Sequence, residues 1–281
     1  MSRKHPEIQK SSGEVVPFDD AKFRASLMRS GASEEEVKIV SEQVKAALYP
    51  GIPTEEIYGL AYSLLKRKSH RQAGRYKLKQ ALLELGPSGF PFERFVGALL
   101  VHQGFVCEYD QVLPGKCVHH ELDLIAQKEE VLRYIECKFH QQRGQKTDVK
   151  VSLYLHSRFR DLDEARHLKR QKPAPPFEGW LFTNTRFSDD ALTYGRCAGM
   201  HLVSWDHPSG GSLKEMIESS GIFPITCLSG LTADEKRYLM EHHVVTCCDL
   251  DRHAEVLAAA GIGPERLETI CNEASEIRGA R

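Results

Sequence analysis

Between Phe90 and Trp205 the spacing of apolar residues changes period several times, and the order of those changes leaves few folds open. In FPFERFVGALLVHQGF, residues Phe92, Phe95, Val96, Leu99 and Leu100 recur at helical spacing, and Gly104 is placed to end the helix. Three short strands follow, FVCEYDQV, HELDLIA and VLRYIECKF, with QKEE as a turn between the last two. A helix over about 149–170 is stopped by KPAPP, because proline cannot continue it. WLFTNT then reads as a strand, SDDALTYGRCAGM as a helix capped by Ser188, and HLVSW as a last strand. Helix, three strands, helix, strand, helix, strand is satisfied most economically by a mixed sheet with helices packed on it.

The flanks read differently. Residues 7–18 suggest a hairpin turning at Ser12-Gly13, followed by four helices up to Leu85. Asp19 or Asp20 caps the first, Ser33 with Glu36 opens the second as a capping box, and Thr54 caps the third. Beyond SWDHPSGGS the pattern is helical to the end. The expected fold class is thus multidomain α/β: a helical unit with a β-hairpin over 1–87, a mixed-sheet core over 88–210, and a small helical domain over 211–281. At 281 residues the chain is long enough for several such units.

Composition excludes some classes. No apolar run approaches the ~20 residues that span a bilayer, so no membrane partner is expected. MSRKHPEIQK has no apolar stretch behind its charges, and the eight cysteines contain no C-x-x-C pair. Both features suit reduced thiols in the cytoplasm. The formal net charge is −1, so any surface for nucleic acid has to be a local patch.

In RYIECKF the two-residue period of a strand puts Glu136 and Lys138 on one face, and Ile135, Cys137 and Phe139 on the other. Asp123, in ELDLIA, falls on a strand expected to pair with this one. Two carboxylates and an ammonium group at the end of apolar strands are costly unless they serve a purpose. Such a set can share one hard cation with a water molecule, as phosphodiester cleavage requires. An isolated E-x-K occurs about once by chance in a chain this long, and the plain alternative is a surface ion pair. Cys107, Cys117, His119 and His120 lie close by, at spacings that fit no usual zinc site.

Residues 90–206 resemble the Mrr-type restriction endonuclease domain of the PD-(D/E)xK nuclease superfamily, through FERFVGALLVHQGF, HHELDLIA, YIECKFH and LFTNTRFSDDALTYGRCAGMHLVSW. The resemblance implies a type IV, Mrr-like endodeoxyribonuclease. Asp123 and Glu136 would hold Mg²⁺ or Mn²⁺, Lys138 would assist the water, and Glu93 on the first helix would support the site. Many Mrr-type domains carry Gln where Glu136 stands, so this chain has the more general superfamily form. The alternative is a non-catalytic, ATP-sensing DNA-binding regulator that uses the same fold only to bind.

KRKSHRQAGRYKLK, residues 66–79, holds seven Lys or Arg residues and no acidic one. Such a run suits phosphates, and equally a solvated helix face. The segment 7–85 resembles an ATP-cone, a nucleotide-sensing module, through GEVVPFDDAKF, YPGIPTEEIY and AGRYKLKQAL. That resemblance implies ATP or dATP as effector, with Lys10 and Lys22 at the triphosphate, Thr54 and Tyr58 near the nucleotide and Phe23 packed beside it. It also implies a homo-oligomer responsive to nucleotide. There is no Walker-type loop, so sensing is expected and hydrolysis is not. Near the C-terminus LAAAGIGPERLETI resembles a helix-hairpin-helix turn, whose backbone N–H groups grip a DNA phosphate.

Overall fold

The computed structural model describes residues 6–10, 13–168 and 177–279. Ser12 of the expected turn and the KPAPP stop lie outside the described residues. The chain begins with β1 (Glu7–Gln9) and β2 (Val15–Pro17), an antiparallel pair, followed by α1 (Asp20–Arg29) and α2 (Glu34–Ala47). The short β3 (Ile52–Pro53) runs parallel to β1 and leads directly into α3 (Thr54–Lys66), after which comes α4 (His70–Leu83). Asp19 caps α1, and Ser33 with Glu36 forms the complete capping box of α2. Thr54 does not cap α3. The strand pairing of Ile52 and Pro53 places Pro53 at the N-cap, with Thr54 already the first helical residue and no side chain closing the helix end. Phe23, Leu27, Val40, Ile57 and Leu65 fill a core between these helices.

Next come α5 (Phe90–His102), β4 (Val106–Pro114), β5 (His119–Lys128), β6 (Val131–Lys138) and the short β7 (Lys146–Thr147). α6 (Val149–Leu168), β8 (Phe177–Thr183), β9 (Arg186–Phe187), α7 (Asp189–Cys197) and β10 (His201–Val203) complete this part. The five-stranded sheet has the order β10-β8-β6-β5-β4, antiparallel among β4, β5 and β6 and parallel from β6 through β8 to β10. Gln127 and Lys128 pair with Leu132 and Val131, so the turn is tighter than QKEE and is made at Glu129, whose φ is 54°. β7 and β9 pair with each other and were not expected; two residues carry no periodicity to read.

Each face of the sheet is covered. Leu124, Ala126 and Ile135 pack against α5, while Tyr134 and Leu181 meet Leu155 and Phe159 of α6. The last helices, α8 (Leu213–Ser220), α9 (Ala233–Glu241), α10 (Ala254–Ala259) and α11 (Pro264–Arg278), add to the α5 side. One apolar cluster runs without a break from Leu78 and Leu82 of α4 through α5 and the sheet to Ile270 and Ile277 of α11.

That continuity explains the basic run. A Cβ on Gly74 would lie 2.5 Å from Cδ1 of Ile277, so α4 approaches α11 closely there. Arg75 Nε donates to the carbonyl of Ile277 at 2.9 Å, beside the C-terminal end of α11, where a cation is favoured. Lys77 donates to Glu84 at 2.7 Å and to the Thr226 carbonyl at 3.3 Å, and Lys79 lies 5.7 Å from the ring centre of Trp205. This half of the run joins α4 to the rest of the molecule. The protein is a multidomain α/β protein, and no helix among the described residues is long and apolar enough to cross a membrane.

A Cβ on Gly179 in β8 would stand 2.6 Å from Cδ2 of the fully buried Phe159. Glycine here lets α6 lie close on the sheet. Gly179→Ala should cost about 1–3 kcal/mol, as overpacking does, read as a lower urea midpoint at unchanged slope.

Candidate active site at the parting of two strands

The hairpin of β4 and β5 rolls over halfway along. Cys107 and Tyr109 pack on the α5 side, yet Leu113, of the same parity, packs on the α6 side. Leu124 and Leu122 divide in the same way on β5. The rollover falls at Asp110, with φ of 54°, and at Asp123 opposite it. Pairing between β5 and β6 stops at Leu124 and Ile135, which would leave the next N–H of β6 without a strand partner. Asp123 takes it: Cys137 N donates to Asp123 Oδ2 at 2.7 Å.

Beyond that point the hairpin leans on α6. Asp161 accepts from the N–H groups of Cys117 at 2.9 Å and Val118 at 3.4 Å, and lies 2.8 Å from His120 Nε2. His120 thus belongs to an anchor. Arg158, one turn earlier, donates to the Glu121 carbonyl at 2.8 Å, to Tyr154 at 2.7 Å from its other arm, and to the carboxylate of Glu136.

Where the strands part, Glu93, Asp123 and Glu136 come within range of one another's charge. Burial pushes the Glu136 carboxyl up to about 8, with Asp123 adding to the effect and Arg158 opposing it. Glu93 is raised to about 7 by burial and then by Asp123. Asp123 is itself raised by burial, against the pull of the Cys137 N–H. Glu93 comes from the α5 layer and Glu136 from the α6 face, and the departure of the hairpin lets them meet. Lys138, two residues along the same face, is exposed and has no hydrogen-bond or ion-pair partner among the described residues. It lines a cavity of about 420 Å³ together with Gly89, His140, Gln141 and Gln142.

Asp123 and Glu136 each keep one oxygen without a protein donor among the described residues. No group of three or more His, Cys, Asp or Glu side chains among the described residues is placed to hold a metal ion. Two carboxylate oxygens in an otherwise open setting fit Mg²⁺ or Mn²⁺, which keep waters and rely on a substrate phosphate.

Behind Lys138 lies a polar network that the sequence reading did not find. Thr183 Oγ1 donates to the Lys138 carbonyl at 2.8 Å and accepts from Thr147 Oγ1 at 3.2 Å, and Thr147 in turn is 2.9 Å from His140 Nε2. Asn184 closes it, accepting from His140 N at 2.9 Å and donating to His140 O at 2.8 Å. Thr183 and Asn184 are buried. Their one visible signal was the polar triplet TNT closing the apolar run of WLFTNT.

The residues expected at a nucleotide divide. Gln9 pairs with Pro53, which brings Lys10 and Thr54 side by side at the ends of β1 and β3, next to the uncapped start of α3. Lys10 is paired with Glu14 at 2.8 Å. Lys22 is exposed in the first turn of α1. Phe23 is a core residue, 5.6 Å from Phe18 between ring centres. Tyr58 is taken up elsewhere: it stacks on Tyr76 at 4.7 Å and donates to the Tyr76 carbonyl at 2.6 Å. Near the C-terminus, Glu273 accepts from the N–H groups of Ser229 at 2.7 Å and Gly230 at 2.9 Å, so that turn is closed from within. The turn at 261–263 leads into α11 with no side-chain cap.

Comparison with other proteins extends the α/β class to a family. Residues 223–278 match the family described as AF1548-like, C-terminal. An uncharacterized protein of Archaeoglobus fulgidus is 31% identical over 182 residues, which are 64% of this chain and 98% of that protein. The crystal structure of the protein of unknown function AF1548 superposes with a TM-score of 0.55 at 28% identity, over 68% of this chain and 98% of that one. The chain belongs to the AF1548-like family.

A carboxyl raised in the folded state binds more protons there than in the unfolded chain, so its contribution is whole at low pH and lost as pH rises. For Glu136 the window runs from its ordinary 4.5 to about 8. In metal-free buffer, stability should fall across that window, and Glu136→Gln should flatten the fall. At pH 8 the variant should be the more stable by on the order of 1 kcal/mol, measured by urea unfolding.

Proposed function

We propose that the protein is a nucleotide-regulated, Mg²⁺- or Mn²⁺-dependent DNA endonuclease of the Mrr-like, type IV class. In this reading residues 1–87 form an ATP-cone, 88–210 a PD-(D/E)xK nuclease domain and 211–281 a helical, helix-hairpin-helix-like domain. The observation that carries it is the meeting of Glu93, Asp123 and Glu136 where β5 leaves β6, with an unpaired Lys138 two residues beyond Glu136 on the same face of the strand.

Asp123 and Glu136 would hold the cation through their unengaged oxygens. When bound, such an ion offers Lewis acidity and a more acidic water. The Cys137 N–H fixes one oxygen of Asp123, and Arg158 one of Glu136, so both carboxylates are oriented in advance. Lys138 sets an ammonium group at the cavity, where it can meet a phosphate oxygen and its gathering negative charge. Glu93, raised to about 7, can take or release a proton near neutral pH. ATP or dATP would sit where Lys10 and Thr54 adjoin, with Lys22 toward its phosphates.

Incubation of purified protein with supercoiled plasmid and Mg²⁺ tests the nuclease. Asp123→Ala and Lys138→Ala should each slow cleavage by at least about a hundredfold, and equal rates would remove these residues from the mechanism. Calorimetry should record ATP binding by the wild type and its loss in Lys10→Ala/Lys22→Ala.

One observation favours the second reading, a non-catalytic ATP-sensing DNA-binding regulator. Arg158 already supplies Glu136 with a positive partner, as a carboxylate that never meets a metal would need. That reading expects DNA binding indifferent to chelator and no cleavage by any form of the protein.

A further inference from the structure

The segment 139–147, directly after Lys138, is held at three places. On the sheet side, His140 and Thr147 enter the network that ends on the Lys138 carbonyl. In the middle, Gln141 Nε2 donates to the Pro87 carbonyl at 2.6 Å, on the linker that follows α4. At its far end Arg143 reaches the N-terminal helices. Its Nε and its terminal nitrogen both donate to Gln80 Oε1 on α4, the former at 3.0 Å. Its guanidinium lies 5.3 Å from the ring centre of Tyr58 on α3, and 3.6 Å from Glu55.

These contacts are unequal. Glu55 is about half exposed, so the ion pair contributes little. The two bonds onto one amide oxygen and the stack over a tyrosine are held in a half-buried setting by a planar donor, which is where arginine differs from lysine. Tyr58 itself is locked to α4 through Tyr76, so α3 and α4 move as one body beneath Arg143. α3 starts at Thr54, beside Lys10. A ligand that shifts the start of α3 shifts Glu55 and Tyr58 along the same rod.

We infer that Arg143 is a positioning residue that transmits the state of the α3–α4 pair to the 139–147 segment, and so to Lys138 and the cavity beside it. The inference rests on the reading of a nucleotide-responsive nuclease and supplies its regulatory link. The path is α3, Arg143, Thr147 with His140, Thr183, and the backbone of Lys138. No other side chain of the segment makes a hydrogen bond or ion pair to α3 or α4 among the described residues.

The test uses full-length wild type, Arg143→Ala, Arg143→Lys and Gln80→Ala, with amide exchange over 139–147 and plasmid cleavage each followed with and without ATP. In the wild type ATP should change exchange of that segment by about tenfold, the scale of one charge-assisted hydrogen bond on a local opening. In Arg143→Ala the ATP response of both exchange and cleavage should shrink to within about twofold while calorimetry still records ATP binding. Arg143→Lys should stay uncoupled, and Gln80→Ala combined with Arg143→Ala should add nothing to either alone. An ATP response in Arg143→Ala equal to that of the wild type overturns the inference. Should ATP not bind the wild type at all, the nucleotide reading is what falls, and Tyr58→Ala decides the link. A transmitting Arg143 makes that substitution alter exchange over 139–147, and an unchanged profile sinks it.

Discussion

The structure turns on the point at which β5 stops pairing with β6. A strand that leaves its neighbour exposes backbone groups that must find partners, and here Asp123 accepts the freed N–H of Cys137. The same departure removes a barrier between the two faces of the sheet. A carboxylate from the helix on one side and a carboxylate facing the helix on the other can then share one space. Without the rollover at Asp110 and Asp123, Glu93 and Glu136 would be separated by a continuous sheet. The tip of the hairpin is pinned to α6 through Asp161, whose carboxyl is pushed down to about 2 as the His120 ring and the Cys117 and Val118 N–H groups outweigh its burial. The opening is therefore a fixed feature of the packing, with an anchor at its far end.

The second constraint is the single apolar cluster that runs from α4 to α11. Helices that share a core cannot shift independently, because close-packed interiors pass displacement on. Leu82 of α4, Phe92 of α5 and Ile277 of α11 belong to that one cluster. The N-terminal helices therefore touch the rest of the protein on two sides: through the apolar face and basic residues of α4, and through the arginine that reaches back from the segment after Lys138. The first contact is broad and holds the parts together. The second is narrow and polar, and it lies next to the candidate chemistry.

Legibility in the sequence follows the length scale of each interaction. Periodicity over eight or more residues gave α5, β4, β5 and β6 nearly to their ends, because repeated burial of one face writes itself into the spacing of apolar residues. Caps at Asp19, Ser33 and Ser188 were visible because the bonds close within three residues. Thr54 misled for an instructive reason: a residue of capping type stood one position late, and the pairing of β3 with β1 decided the helix start. Glu136 and Lys138 could be placed on one face by alternation alone. That Glu93 and Asp123 lie near Glu136 depends on a rollover which leaves no mark in hydropathy, since both halves of the hairpin still alternate. The basic run of 66–79 was legible as charge, but its use was not. Arg75 and Lys77 end on carbonyl groups some 150 to 200 positions away, and no local pattern announces a backbone acceptor at that distance.

The position of Arg158 bears on how a site of this kind persists without collapsing. Three half-buried carboxylates repel one another, and a chain that brings them together must protonate them, pair them or hold a cation between them. Here the load is shared unevenly. Asp123 is eased by a backbone N–H, Glu136 by a guanidinium, and Glu93 by neither, with the Arg94 charge as its nearest relief. Arg158 is itself bound on three sides, to Glu121, Tyr154 and Glu136, so it cannot swing far without breaking the hold on the hairpin. It compensates the charge of one carboxylate and also sets where that carboxylate points, while the free oxygens of Asp123 and Glu136 are left to whatever positive charge comes with a ligand. The residual repulsion among the three acids favours such a charge, and it would be smaller had Glu93 a partner of its own.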